Sequence, residues 1–191
     1  MNNLSIGKRI AILMIVSAVL LLLLAGIGWK NQSTAVSALK SVHDDRAVPL
    51  ADLGKISTLL GENIAELLLV VQHDPASPLA KAHDHPISLH LDKFDERRKQ
   101  INALWNNYMV TNHTPEEDAL AEEAEEKRMQ WAERATGLMK RMNAGEFSVG
   151  LMKELLAARA NEGAAANQVM DRLIDMQARI AQQEYQREMA A

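Results

Sequence analysis

The chain has 191 residues, 48% of them hydrophobic but only 4% aromatic, and a formal net charge of -4. That size fits one helical unit better than several small domains, and the acidic balance argues against a nucleic-acid binder. The absence of cysteine removes disulfides, thiolate nucleophiles and c-type haem attachment. Ala, Leu, Met, Glu, Gln, Arg and Lys dominate and alternating valine or isoleucine is scarce, so the expected fold class is all-α.

Residues 10–29, IAILMIVSAVLLLLLAGIGW, form an uncharged apolar run. At about 20 residues it is long enough to cross a hydrocarbon core of about 30 Å as a helix. Lys8 and Arg9 precede it. The positive-inside bias then places residues 1–9 in the cytoplasm and residues 30–191 outside, which in a bacterium is the periplasm. A cleaved signal peptide has an apolar region of about 7–15 residues ending in a small-x-small site. This run is longer, Gly26 to Gly28 matches such a site poorly, and no cysteine is present for a lipoprotein. A single-pass, uncleaved inner-membrane anchor is therefore expected.

Beyond the anchor, four helices are expected at about 30–74, 86–112, 115–143 and 147–190. The first carries the seam Leu50, Leu53, Ser57, Leu60, Ile64, Leu67 and Val71, with Pro49 as a kink and His73, Asp74 and Pro75 as its end. Pro86 opens the second, whose seam is Ile87, Leu91, Phe94, Arg98, Ile101, Trp105 and Tyr108. Thr114, Pro115 and Glu117 supply an N-cap, a first-turn proline and a capping-box glutamate for the third. Its seam is Ala121, Ala124, Arg128, Trp131, Ala135, Leu138 and Met142, and Gly145 closes it. The fourth has Met152, Leu155, Arg159, Glu162, Ala166, Val169, Leu173, Met176 and Ile180. Short connections predict an antiparallel, up-down-up-down four-helix bundle that continues from the transmembrane helix. The first and fourth helices, at about 45 residues or roughly 65 Å, both reach the membrane on this reading.

This arrangement resembles the N-terminal sensor half of bacterial methyl-accepting chemotaxis receptors of the four-helix-bundle class. The resemblance rests on GKRI before the first membrane helix, DDRAVPL at 44–50, the helix ending QHDP, INALWNNY at 101–108 and HTPEEDAL at 113–120. It implies a periplasmic ligand sensor that forms a homodimer, through the first and fourth helices, and passes a small helix displacement to a cytoplasmic histidine kinase. The second membrane helix, linker module and signalling hairpin of that family are not in the 191 residues, so kinase control is expected only where those parts are supplied. The aspartate-sensing members grip the ligand with several arginines of the first helix. Here that helix offers only Arg46, so that site is not reproduced.

Each seam carries one arginine: Arg46, Arg98, Arg128 and Arg159. Counted along their helices, the last three fall on one layer, roughly 18–22 Å below the far tip, where the first helix presents Thr58 and Glu62. Cations on one layer repel unless carboxylates intervene, so the expectation is a small-carboxylate site formed by Arg98, Arg128, Arg159, Thr58 and Glu62. The alternatives are an internally paired polar layer and arginines that run outward along the helix surface.

The far tip holds QHDPASPLAKAHDHPISLH, residues 72–90, with His73, His83, His85 and His90 out of only six histidines. Joining the end of one helix to the start of the next brings them near one another. Their spacing matches no standard zinc motif, yet imidazole with carboxylate suits zinc or copper where cysteine is avoided. The competing reading is a polar turn, with His73 favoured at a helix C-terminus and prolines stopping and starting helices.

Other chemistry finds little support. No glutamate has a histidine three residues later, as a di-iron bundle requires, and no phosphate loop or hydrolase triad motif is present. Methionine at helical spacing reads as core rather than haem ligand, and the acidic start EEDALAEEAEEKR suits a helix N-terminus. An enzyme is not expected. The two function classes are a chemoreceptor sensor for a small carboxylate or a metal, and a membrane-anchored bundle with a structural or adaptor role.

Overall fold

The computed structural model describes residues 5–190. The first four residues of the expected cytoplasmic segment, and Ala191, lie outside the described residues. Two compact units are formed, Met1–His43 and Asp44–Ala191.

In the first unit, helix α1 (Ile6–Val42) contains a stretch, Ile6–Ser37, long and apolar enough to cross a membrane. Leu13, Leu20, Leu22, Leu24 and Ile27 are all exposed on it. A helix apolar all round and covered by nothing in its own fold is matched to a nonpolar solvent.

The second unit begins within a π-helical turn, His43–Ala47, from Asp44 onward, and continues through α2 (Val48–Val71), α3 (Ser88–Met109), α4 (Pro115–Asn143), α5 (Val149–Ala158), a second π-helical turn (Arg159–Gly163) and α6 (Ala164–Ala190). Every described element is helical, and the fold is an all-α four-helix bundle. Its antiparallel order is visible in the cross-helix pairs: Asp45 with Asn112, Glu62 with Arg97, and Glu66 with His90. As one number rises the other falls. Arg128 with Asn102 and Arg172 with Glu123 extend the same order to α3–α4 and α4–α6.

Local signals set the boundaries. Pro49 sits in the first turn of α2, directly after the π-helical turn. The Thr114 side chain accepts from the Glu117 backbone N–H at 3.2 Å, and Glu117 Oε2 accepts from Thr114 N–H at 3.4 Å, which completes the capping box. Gly145 ends α4 with φ 90°, a conformation open to glycine at little cost.

All seven expected seam residues of α4, from Ala121 to Met142, are buried. The fourth helix of the bundle, α5 through α6, differs. Its core positions are Leu151, Leu155 and Ala158, then Gly163, Ala166, Val169 and Leu173. The step of five from Ala158 to Gly163 is the π-helical turn, whose extra residue shifts the phase of the stripe. Arg159 and Glu162, expected on the seam, are thereby turned to partly exposed positions. Gly163 is placed against Trp131, where an added Cβ would meet the indole at 3.3 Å.

Candidate metal centre

The helix α2 ends at Val71, and the His73 N–H bonds back to the Val70 carbonyl at 3.1 Å. Asp74 then folds the chain over: its Oδ1 accepts from Ala76 N–H at 2.9 Å and its carbonyl from Ser77 N–H at 2.8 Å. Ser77 caps a short 3-10 turn, Pro78–Ala82, through Leu79 N–H. His83 follows that turn, and Pro86 leads into α3, whose first turn carries His90. The loop is thus held by its own hydrogen bonds in a shape that returns His83 and His85 over His73 and His90.

The four rings meet on one side of this fold. The centroids of His73 and His83 lie 4.0 Å apart, and those of His85 and His90 4.9 Å apart. One nitrogen from each ring falls in a common group whose members all lie within 4.8 Å of one another. Within it, His85 Nε2 is 3.0 Å from His90 Nε2, His90 Nε2 is 3.1 Å from His73 Nε2, and His83 Nδ1 is 3.5 Å from His85 Nε2. Four Zn–N bonds of about 2.0–2.1 Å in a tetrahedron separate their nitrogens by about 3.3 Å.

In three of the four rings the opposite nitrogen is engaged with a protein acceptor. His90 Nδ1 donates to Glu66 Oε2 at 2.6 Å, His85 Nδ1 to Asp84 Oδ1 at 3.1 Å, and His83 Nε2 to Gln72 Oε1 at 3.4 Å. A neutral imidazole has one N–H, so each of these bonds directs a lone pair into the common group. Lone pairs facing each other repel, and a proton or a cation between them relieves that repulsion. His90 is 2% exposed, and the other three rings are half-buried. Burial first, then the neighbouring histidines, hold the His73 pKa below the usual imidazole value and favour the neutral form that binds metal. Burial by itself would raise Glu66, but its hydrogen bonds from His90 and Arg97 keep it below the usual carboxylate value.

The sequence alone does not single out Glu66, Gln72 or Asp84 as partners of these rings. For Glu66 a usable signal exists. It stands seven residues, two helical turns, before His73, and Arg97 stands seven after His90, so each pair shares a helical face.

The residues expected to form a carboxylate layer keep separate company. Arg128 is buried, with its guanidinium 5.1 Å from the Trp105 ring centroid; it pairs with Glu125 and donates to Asn102 Oδ1 at 2.7 Å. Arg98 is half-exposed and pairs with Asp95 on its own helix at 3.3 Å. Arg159 lies beside the phase shift of the second π-helical turn, with no ion pair to another described residue. Thr58 is exposed and donates to the Gly54 carbonyl, while Glu62 accepts from Arg97 at 2.8 Å. Equal height along four helices does not put side chains on one face, and the layer count carried no information about azimuth.

Arg46, like Arg128, is a cation the bundle encloses. The first π-helical turn swings it inward, where it forms a two-point pair with Glu184 at 2.8 and 2.9 Å and donates to the Asn112 carbonyl at 2.9 Å. Glu117, fully buried, lies 3.6 Å away and accepts from the Tyr108 hydroxyl at 2.9 Å. The Glu184 hydrogen bond is the main cause of a raised Arg46 pKa. Burial, followed by the Glu117 charge, raises that of Tyr108.

A family model described as a four helix bundle sensory module for signal transduction matches residues 3–191. No curated protein and no solved structure gives a match.

Proposed function

We propose that this chain, which belongs to the family of four-helix-bundle sensory modules of chemotaxis receptors, takes a transition-metal ion, zinc or copper, as its stimulus. The family is one of membrane receptors in signal transduction rather than of enzymes, and its members act as receptor dimers that signal to a kinase. On this reading α1 is the inner-membrane anchor and the bundle is the periplasmic receiver.

The observation that carries the reading is the division of labour in four imidazoles. One nitrogen of each joins a common group, and in three of them the other nitrogen is held by Glu66, Asp84 or Gln72. Carboxylate and carbonyl partners on the far nitrogen are the usual support of metal-ligating histidines. An all-nitrogen donor set suits zinc or copper and disfavours calcium and magnesium, which require oxygen. A carboxylate stimulus at Arg98, Arg128 and Arg159 lacks comparable support, because those side chains are paired elsewhere or set apart.

Occupancy would tie the C-terminal end of α2 to the first turn of α3 and pin the loop between them. The stimulus then acts on α2, which follows α1 in the chain through only the first π-helical turn.

Titration of the full chain in lipid nanodiscs, in competition with a chromophoric chelator, tests this. One zinc or copper per chain should bind, calcium and magnesium should not, and His85→Ala and His90→Ala should remove the binding. Absence of stoichiometric uptake, or uptake unchanged in both variants, would overturn the reading.

A further inference from the structure

Glu66 is shared. Its Oε2 accepts from His90 Nδ1 at 2.6 Å, and its Oε1 accepts from Arg97 Nη1 at 3.0 Å. Arg97 in turn donates from Nε to Glu62 Oε2 at 2.8 Å. The chain His90–Glu66–Arg97–Glu62 therefore crosses between α2 and α3 three times, starting at the histidine group and running one turn further into the bundle. We propose that Arg97 is a metal-responsive latch between α2 and α3, whose hold on Glu66 and the binding of metal at the histidines oppose each other.

The inference rests on the metal reading above and follows from charge. A divalent ion with four neutral imidazoles brings two positive charges to the tip. Two carboxylates touch the ligating rings. Asp84 is fully exposed, and water screens it; Glu66 is buried and screened little. Glu66 is therefore the main counter-charge, and it also strengthens His90 as a ligand by accepting its Nδ1 proton. Arg97 competes for the same carboxylate with a permanent positive charge on the opposite oxygen. Glu62, half-exposed, offsets that charge only in part.

Coupling of this kind is reciprocal. Whatever factor Arg97 costs the metal in affinity, the metal returns as a weakening of the Arg97–Glu66 pair. Filling the site would pull Glu66 toward His90 and loosen a part-buried α2–α3 fastening a turn below. A local binding event thereby becomes a change in how two helices are held.

The test measures the zinc dissociation constant of the full chain in nanodiscs for the wild type, Glu66→Gln and Arg97→Gln, and follows the Nε–H resonance of Arg97 in 15N-arginine-labelled protein. Glutamine at 66 keeps an acceptor for His90 but loses the charge, and should weaken zinc by about 10- to 100-fold. Arg97→Gln should tighten zinc by about fivefold, the effect of removing one partly screened positive charge from the neighbourhood of the site. Zinc should shift the Arg97 resonance of the wild type. A purely structural Arg97 would make Arg97→Gln bind zinc more weakly or equally, and either result overturns the latch while leaving the metal site standing. No zinc uptake by the wild type overturns both.

Discussion

At one end of the bundle, beside the first π-helical turn, Arg46 carries a fixed cation into a ring of acceptors: Glu184, Glu117, Gln177 and the Asn112 carbonyl. At the opposite end, four imidazoles bring nitrogens together, and three of them have the other nitrogen held outward by Glu66, Asp84 or Gln72. Guanidinium is charged at every accessible pH, so the Arg46 network is complete as folded. Imidazole becomes cationic only by taking a proton or a metal, so the histidine end changes with what reaches it. The same bundle thus pairs a fastening that is indifferent to its surroundings with one built from groups that respond to them. A sensor needs both, since a stimulus can displace one end only against another that stays put.

Breaking the constant end should have the largest effect. Arg46→Met leaves Glu117 buried without its cation and should cost about 3–5 kcal/mol in urea unfolding, while zinc affinity stays as in the wild type. A parallel loss of zinc affinity would show that the two ends are not separate. Next comes the responsive end. With zinc at a hundred times its dissociation constant the wild type should gain about 2.7 kcal/mol, and His90→Ala should gain nothing in the same denaturation assay. Thr114→Ala removes the cap beside the Arg46 network and should cost about 1 kcal/mol, read by thermal melting with and without zinc; an equal loss in both conditions is expected. Arg98→Ala, with its exposed pair to Asp95, should change stability by less than about 0.5 kcal/mol and zinc affinity not at all. A large effect there would return the arginine layer to consideration.

Much of the fold was legible because it follows from local chemistry. The seam of α4, its Thr114–Glu117 capping box and the Gly145 stop depend on residues within a few positions of one another, and the structure has them as the spacing predicts. The two π-helical turns were not legible. Neither HDDRA nor RANEG differs from ordinary helical sequence, yet each forms a π-helical turn, and the second shifts the buried stripe. Arg46 is inside, as its seam position predicts, but the second turn takes Arg159 and Glu162 to partly exposed positions. That is why a seam drawn at constant period across residues 152–180 counted Arg159 and Glu162 among its core positions. The histidine group could be foreseen as a neighbourhood, since a helix end and a helix start must meet. Which nitrogens face inward could not, because that depends on Glu66 from the helix body and on a loop folded by Asp74 and Ser77.

X-ray absorption at the zinc edge, on the full chain in nanodiscs with one equivalent of zinc, tests the central claim most directly. The account predicts a single shell of about four nitrogen neighbours near 2.0 Å with the outer-shell scattering of imidazole rings. A shell dominated by oxygen, or one with the same imidazole signature after His83→Ala and His85→Ala are combined, would contradict it.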